Sequence, residues 1–195
     1  FLPTKNLGAL GEAGCITTNN KEYYEKIKSI SNYGKSILNS SINEYQGSNC
    51  RGDELQAAFL IAKLSNLDHI INQRKKHLRI YQNLNQTEIN TKLRLLNYFE
   101  FSSPHLAVVK CKSYLIRNEL ISYLKSNNIQ TMIHYPIACH ENKFLKNNQI
   151  RISSEDAKQA KEISNTILSL PLSEVHTHEE ITYVYETILK YCNHN

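Results

Sequence analysis

Three places in the chain bring together residue types that could do chemistry. The first is Lys5, within Phe1-Leu2-Pro3-Thr4-Lys5-Asn6-Leu7-Gly8-Ala9-Leu10-Gly11-Glu12-Ala13-Gly14. Glycines allow tight turns and close backbone approach, which a lysine bonded covalently to a cofactor needs around it. A free lysine amine, with a pKa of about 10.4, is a poor nucleophile near neutrality; desolvation or nearby positive charge activates it. On spacing alone, a solvated loop lysine is the commoner case. The second place is Asn49 and Arg51, just before a long apolar-periodic stretch. An amide near a helix N-terminus can donate to a phosphate, aided by the helix dipole. The plainer alternative is that Asn49 caps a turn and Asp53 caps the helix. The third is His134-Tyr135-Pro136-Ile137, with His140 close behind. On a strand His134 and Tyr135 point to opposite faces, so at most one meets a substrate, and a structural role fits either.

These residues need a scaffold, and hydrophobic periodicity outlines one. Lys21 to Ile30 reads as a helix with Tyr23, Ile27 and Ile30 on one face and a Glu22–Lys26 pair, ended by Tyr33-Gly34. Residues 35–48 are polar and read as a loop. From Asp53 to about Asn85, Leu60, Leu64, Leu67, Ile71, Leu78 and Tyr81 recur at helical spacing without Gly or Pro. That predicts one linking helix of roughly 50 Å, with room for a kink near His69–Asn72. Beyond residue 86, Leu106–Val109 reads as a buried strand, Ser113–Asn127 as a helix, and Ile129–Tyr135 as a second strand stopped by Pro136. Ser153 with Asp156 predicts a capped helix through Ile167, and Thr177 with Glu180 a second. The inward stripe of that last helix is Ile181, Val184, Ile188 and Tyr191. Residues 86–195 therefore read as a small α/β domain.

Composition narrows the classes. With 41% hydrophobic residues, 6 Gly and 4 Pro, the chain is globular. No apolar run approaches the roughly 20 residues of a membrane span. A net charge of +5 is scattered, and Arg74-Lys75-Lys76 reads as a solvated helix face, which argues against nucleic acid. Five cysteines at irregular spacing, with no CxxC pair, argue against both a disulfide framework and a metal site, and for a reducing cytoplasm.

The motifs also carry a family resemblance. The Lys5 loop resembles the pyridoxal-phosphate lysine motif of the DegT/DnrJ/StrS-type sugar aminotransferases. Gly47-Ser48-Asn49-Cys50-Arg51-Gly52-Asp53-Glu54-Leu55-Gln56-Ala57-Ala58 is similar to a second signature of that family, and His134–Ile137 with His140 to a third. Leu168-Ser169-Leu170-Pro171-Leu172-Ser173 followed by Thr177–Ile181 is similar to the family's usual ending. The resemblance implies an α/β fold: residues 1–52 as the end of a fold-type-I cofactor domain truncated at its N-terminus, 53–85 as a linking helix, and 86–195 as a small C-terminal domain. It implies pyridoxal phosphate as cofactor, held covalently by catalytic Lys5 and contacted by Asn49 and Arg51, with Asn49 reaching the phosphate of a neighbouring subunit in a homodimer. His134 and Tyr135 are implied as substrate contacts. The implied reaction moves an amino group, with glutamate as donor, to a keto carbon of a dTDP-linked 6-deoxyhexose for surface polysaccharide. A lysine at position 5, where related dehydratases carry histidine, favours transfer over dehydration. In the family, an acidic partner of the pyridine nitrogen, a ring stacked on the cofactor and much of the phosphate site precede the lysine, so the chain reads as a C-terminal half. Gly52, Ala13 and Ala138 depart from the family pattern. A non-catalytic remnant that folds or dimerises without a complete cofactor site is the competing reading.

Overall fold

A computed structural model describes residues 1–86, 91–96, 101–147 and 154–194. The chain divides into two compact units, Phe1–Asp68 and His69–Asn195. The division falls inside the segment expected to be one linking helix. That segment is two helices, α2 (Glu54–Leu64) and α3 (Leu67–Gln82). The break comes at Ser65-Asn66, earlier than His69–Asn72. Ser65 Oγ donates to the Ala62 carbonyl at 2.8 Å and Asn66 N–H reaches back only three residues, to Lys63 O at 3.0 Å. Side-chain competition for backbone carbonyls and a tightened last turn are how Ser and Asn end helices.

In the first unit, α1 (Lys21–Ile30) has the expected bounds and begins at Asn20, whose Oδ1 accepts from Tyr23 N–H at 3.2 Å. Its expected apolar stripe is largely exposed. The ion pair on this helix joins Lys21 to Glu25, while Lys26 lies over the Tyr45 ring. After α1 the chain reverses through Tyr33 and Gly34, at φ 62° and 75°. Gly34 is required there, because a Cβ would collide with the Tyr45 carbonyl. The polar stretch that follows is a loop crossed by single bridges, Lys35 to Asn43 and Asn32 to Asn49.

The second unit is built on an antiparallel sheet of β1 (Leu93–Leu95), β2 (Ala107–Cys111) and β3 (Ile167–Leu170), in that order. Helices α4 (Tyr114–Ser126) and α7 (His178–His194) join α3 and the sheet in one core cluster that contains Tyr81, Leu95, Val109, Leu120, Leu168 and Ile188. The cap of α4 is Ser113, accepting from Ile116 N–H. The reciprocal box at α7 forms as expected: Glu180 N–H to Thr177 Oγ1 at 3.1 Å and Thr177 N–H to Glu180 Oε2 at 2.9 Å. At the outer side of β1, Asn85 exchanges two hydrogen bonds with the backbone of Leu95. A short helix α5 spans Lys143–Asn147, and α6 (Ser154–Thr166) runs directly into β3. The expected Ser153–Asp156 cap lies outside the described residues.

One expected strand fails, and one strand that was not expected forms. Ile129–Tyr135 is not a strand: it meets the sheet at one bridge, Met132 to Ser169. Pro136 has no N–H to extend that ladder, and His134 meets Ser169 by its side chain. The strand at that place is β3, whose four residues are all buried. A short fully buried run has no alternation to separate it from a helix end. No helix among the described residues is long and apolar enough to cross a membrane.

Candidate functional site

The Lys5 loop is closed on itself before anything else holds it. Lys5 N–H donates to Leu2 O at 2.9 Å and Ala9 N–H to Phe1 O at 2.8 Å. Gly8 lies so close to the Pro3 carbonyl that no Cβ would fit. Lys5 itself is exposed, and its amine makes no hydrogen bond or ion pair among the described residues.

The second signature holds the end of the first. Gln56, on the first turn of α2, accepts from Gly11 N–H through Oε1 at 3.1 Å and donates from Nε2 to Glu12 O at 3.4 Å. Asp53 is the cap of α2, accepting from Leu55 N–H at 2.9 Å. An Asp followed three residues later by Gln is a capping-box pattern. Gln56 uses that position to bind the lysine loop, a role that sequence reasoning did not assign.

Asn49 sits in the bridge with Asn32, fixed by its backbone, with its side chain exposed and free of partners among the described residues. Arg51 is engaged. Its Nη1 donates to Asn32 Oδ1 at 2.6 Å and its guanidinium lies 5.4 Å from the Tyr33 ring centroid. Arg51 thereby braces the Asn32 side of the bridge that carries Asn49. Gly52 has open space where a Cβ would be.

His134 and Tyr135 belong to the second unit. His134 Nδ1 is 2.9 Å from Ser169 Oγ, and the two rings meet edge-on at 5.6 Å. Tyr135 is 70% exposed, which leaves its hydroxyl open to a ligand. His140 lies in a short 3-10 turn, Cys139–Glu141.

A heavily bonded polar cluster in the second unit was not anticipated. Arg74, read from sequence as solvated, is only 6% exposed. It donates to Glu174 from Nε at 2.9 Å and Nη2 at 2.8 Å, and from Nη1 to the carbonyls of His105 and Leu172. Its α3 neighbours continue the row: His77 Nδ1–H donates to Ser173 O and Tyr81 OH to Pro171 O, each at 2.9 Å. The i, i+3, i+7 spacing of Arg74, His77 and Tyr81 lay open in the sequence, hidden by the charge of Arg74-Lys75-Lys76. These bonds fasten Pro171–Glu174, which overlaps the Leu168–Ser173 motif. Partial burial works against ionisation of Glu174, but its own backbone N–H, the Arg74 guanidinium and the Ser173 hydroxyl together hold its carboxyl below the usual value. Burial pushes the Cys111 thiol up to about 12 and the Cys192 thiol to about 11, so neither is a ready nucleophile.

Residues 1–189 match the DegT/DnrJ/EryC1/StrS aminotransferase family. The chain belongs to that family. Among its relatives is the dTDP-3-amino-3,6-dideoxy-alpha-D-galactopyranose transaminase of Aneurinibacillus thermoaerophilus, 38% identical over 96% of this chain and 53% of that protein. The crystal structure of S. venezuelae DesV, in complex with a ketimine intermediate, superposes with a TM-score of 0.85 at 27% identity, covering 98% of this chain and 50% of the other. NtdA from Bacillus subtilis, with bound cofactor PMP, shares the fold at a TM-score of 0.87 and 24% identity, covering 98% of this chain and 44% of that one. The chain spans about half the length of these family members. Aminotransferases of the DegT/DnrJ/EryC1/StrS family use pyridoxal phosphate.

Proposed function

We propose that this chain is the lysine-bearing part of a pyridoxal-phosphate-dependent nucleotide-sugar aminotransferase. In this reading the first unit is the end of the cofactor-binding domain and the second is the small domain. The observation that carries it is the state of Lys5: an exposed amine without a competing partner, in a loop pinned by Gln56. The donor set fits the cofactor at two points, a primary amine for covalent attachment and the Asn49 amide for the phosphate. Bound there, pyridoxal phosphate would supply the electron sink that lets an amino group leave one carbon for another.

The protein's own part is attachment, orientation and proton handling. Lys5 Nζ would hold the cofactor covalently and, as a free amine, would take up and return a proton at the donor α-carbon. Asn49 donates to the phosphate of a partner subunit in a homodimer, and Arg51 supports it through Asn32. Tyr135 offers its hydroxyl to the sugar, with His134 steadied by Ser169. Glutamate as donor and a keto carbon of a dTDP-linked 6-deoxyhexose as acceptor complete the reading. The relative's dTDP-amino-sugar transaminase activity supports the acceptor class.

The test is covalent. The protein carrying this chain is incubated with pyridoxal phosphate, reduced with borohydride and mapped by peptide mass. The pyridoxyl mass is expected on Lys5, and Lys5→Ala should abolish it. Labelling spread over other lysines, or none, overturns the reading and leaves a non-catalytic remnant.

A further inference from the structure

The β1–β2 ladder carries an arrangement of charge that the aminotransferase reading does not use. Leu93 pairs with Cys111 and Arg94 with Lys110, and Lys112 N–H donates to Lys92 O at 2.8 Å. Lys92 therefore faces Lys112 across the ladder, and Arg94 faces Lys110. Side chains two residues apart on a strand share a face. Leu93, Leu95, Val109 and Cys111 take the buried face, so all four cations stand on the other.

Strand spacing puts their Cα atoms at the corners of a rectangle of about 5 by 7 Å. That is inside the Debye length of about 8 Å at physiological salt, so the charges act on one another. Like charges directly opposite on a ladder are destabilising, and here two such pairs are stacked. Two of the four are partly compensated. Lys110 pairs with Glu162 at 2.8 Å, an interaction that holds the Glu162 carboxyl below its usual value, and Lys92 Nζ donates to the Cys192 carbonyl at 2.6 Å. Arg94 and Lys112 have no side-chain partner among the described residues. The four line a cleft of about 240 Å³, in which Glu162 is the one acidic wall. A cleft this size is below the roughly 300–1,000 Å³ of ordinary small-molecule sites and suits a compact ligand.

We propose that this face is a binding site for a diphosphate group, either free or as part of a nucleoside diphosphate. A diphosphate laid across the diagonal of the rectangle reaches both uncompensated corners, Arg94 and Lys112. Arg94 offers its planar fork to one phosphate and Lys112 a point charge to the other. The compensated Lys92 and Lys110 fix the rim. The site is assigned independently of Lys5 and its cofactor.

Calorimetric titration of the protein carrying this chain with inorganic pyrophosphate tests it, with a nucleoside diphosphate in a parallel arm. Saturable binding of pyrophosphate that weakens as salt rises is expected. Arg94→Gln and Lys112→Gln should each weaken it about tenfold, the loss of one charge-assisted bond. Glu162→Gln should tighten it, and Lys161→Gln, which removes a lysine paired with Glu141, should leave it unchanged. All these positions are exposed at the surface, where substitutions change stability little. Equal affinities in the two arms identify free diphosphate as the ligand; a tighter nucleoside diphosphate adds a neighbouring contact for the base. The proposal is overturned by absence of saturation at millimolar pyrophosphate in low salt. It is equally overturned if the Arg94→Gln/Lys112→Gln double variant binds as the parent does.

Discussion

The two units spend their apolar residues in opposite ways. In the second, 18 buried residues from three helices, the sheet and their connections form one cluster. In the first, Ala9 is the one buried hydrophobic residue among those described. There Leu38 is 98% exposed, Leu55 71% and Ile61 70%, and α2 buries no residue at all. The first unit is held by turns, bridges and the Gln56 clamp, all local or polar. A set of large apolar side chains in water marks an interaction surface or an aggregation liability. The contrast teaches that regular secondary structure and a stable domain are separate achievements. Both units have the first, and only the second unit has the core that would make it self-sufficient.

The strongest way to break this comparison is to cut the chain. A fragment Leu67–Asn195 should give dispersed amide resonances and a cooperative thermal transition. Phe1–Asp68 alone should show neither and should bind an apolar dye. A cooperative transition in the shorter piece would refute the contrast.

Point substitutions sharpen it. Leu124→Ala, in the core, should cost about 2–5 kcal/mol by denaturant melting, while Leu55→Ala on exposed α2 should stay within about 0.5 kcal/mol. Comparable losses would place Leu55 in a core after all.

Glu174→Gln comes next. It leaves the buried Arg74 guanidinium without its charged acceptor, at a cost of about 1.5–3 kcal/mol. The pH dependence has a definite sign. Because the folded carboxyl is held below the usual 4.5, its contribution is complete above that value and is lost as pH falls through the folded one. Parent and variant melting curves should therefore differ near neutrality and converge in acid. A constant gap would assign the loss to packing.

The smallest effect belongs to the first unit. Gln56→Ala should cost about 0.5–1.5 kcal/mol and speed hydrogen exchange at Gly11, with core amides of the second unit unchanged. No change at Gly11 would mean that the loop holds itself without the clamp.

What the sequence disclosed follows the range of the interactions. Helices α1 and α4 were legible with their ends and α7 with its start, because Asn20, Ser113 and the Thr177–Glu180 box act within a few residues. Part of the lysine loop was legible because Gly8 answers to a contact along the same loop, with the Pro3 carbonyl. Features set by distant partners were not. β3 is recognised as a strand only through its pairing with β2, some sixty residues earlier in the chain. The burial of Arg74 depends on Glu174, which lies 100 residues away. Gln56 drew no role from the sequence because its acceptor and donor, 44 and 45 positions upstream, leave no trace in the local pattern.

One small feature governs how the second unit can meet other proteins. A short sheet ending in an unpaired strand invites another chain to add itself alongside. At Leu95 the invitation is already answered, because the Asn85 amide occupies the outward N–H and C=O together. At that position a newcomer would find no backbone group to bind without first displacing a side chain that matches both. At this position recognition is left to side chains, so a partner meeting it is selected by shape and charge, not by a strand's generic appetite for another strand.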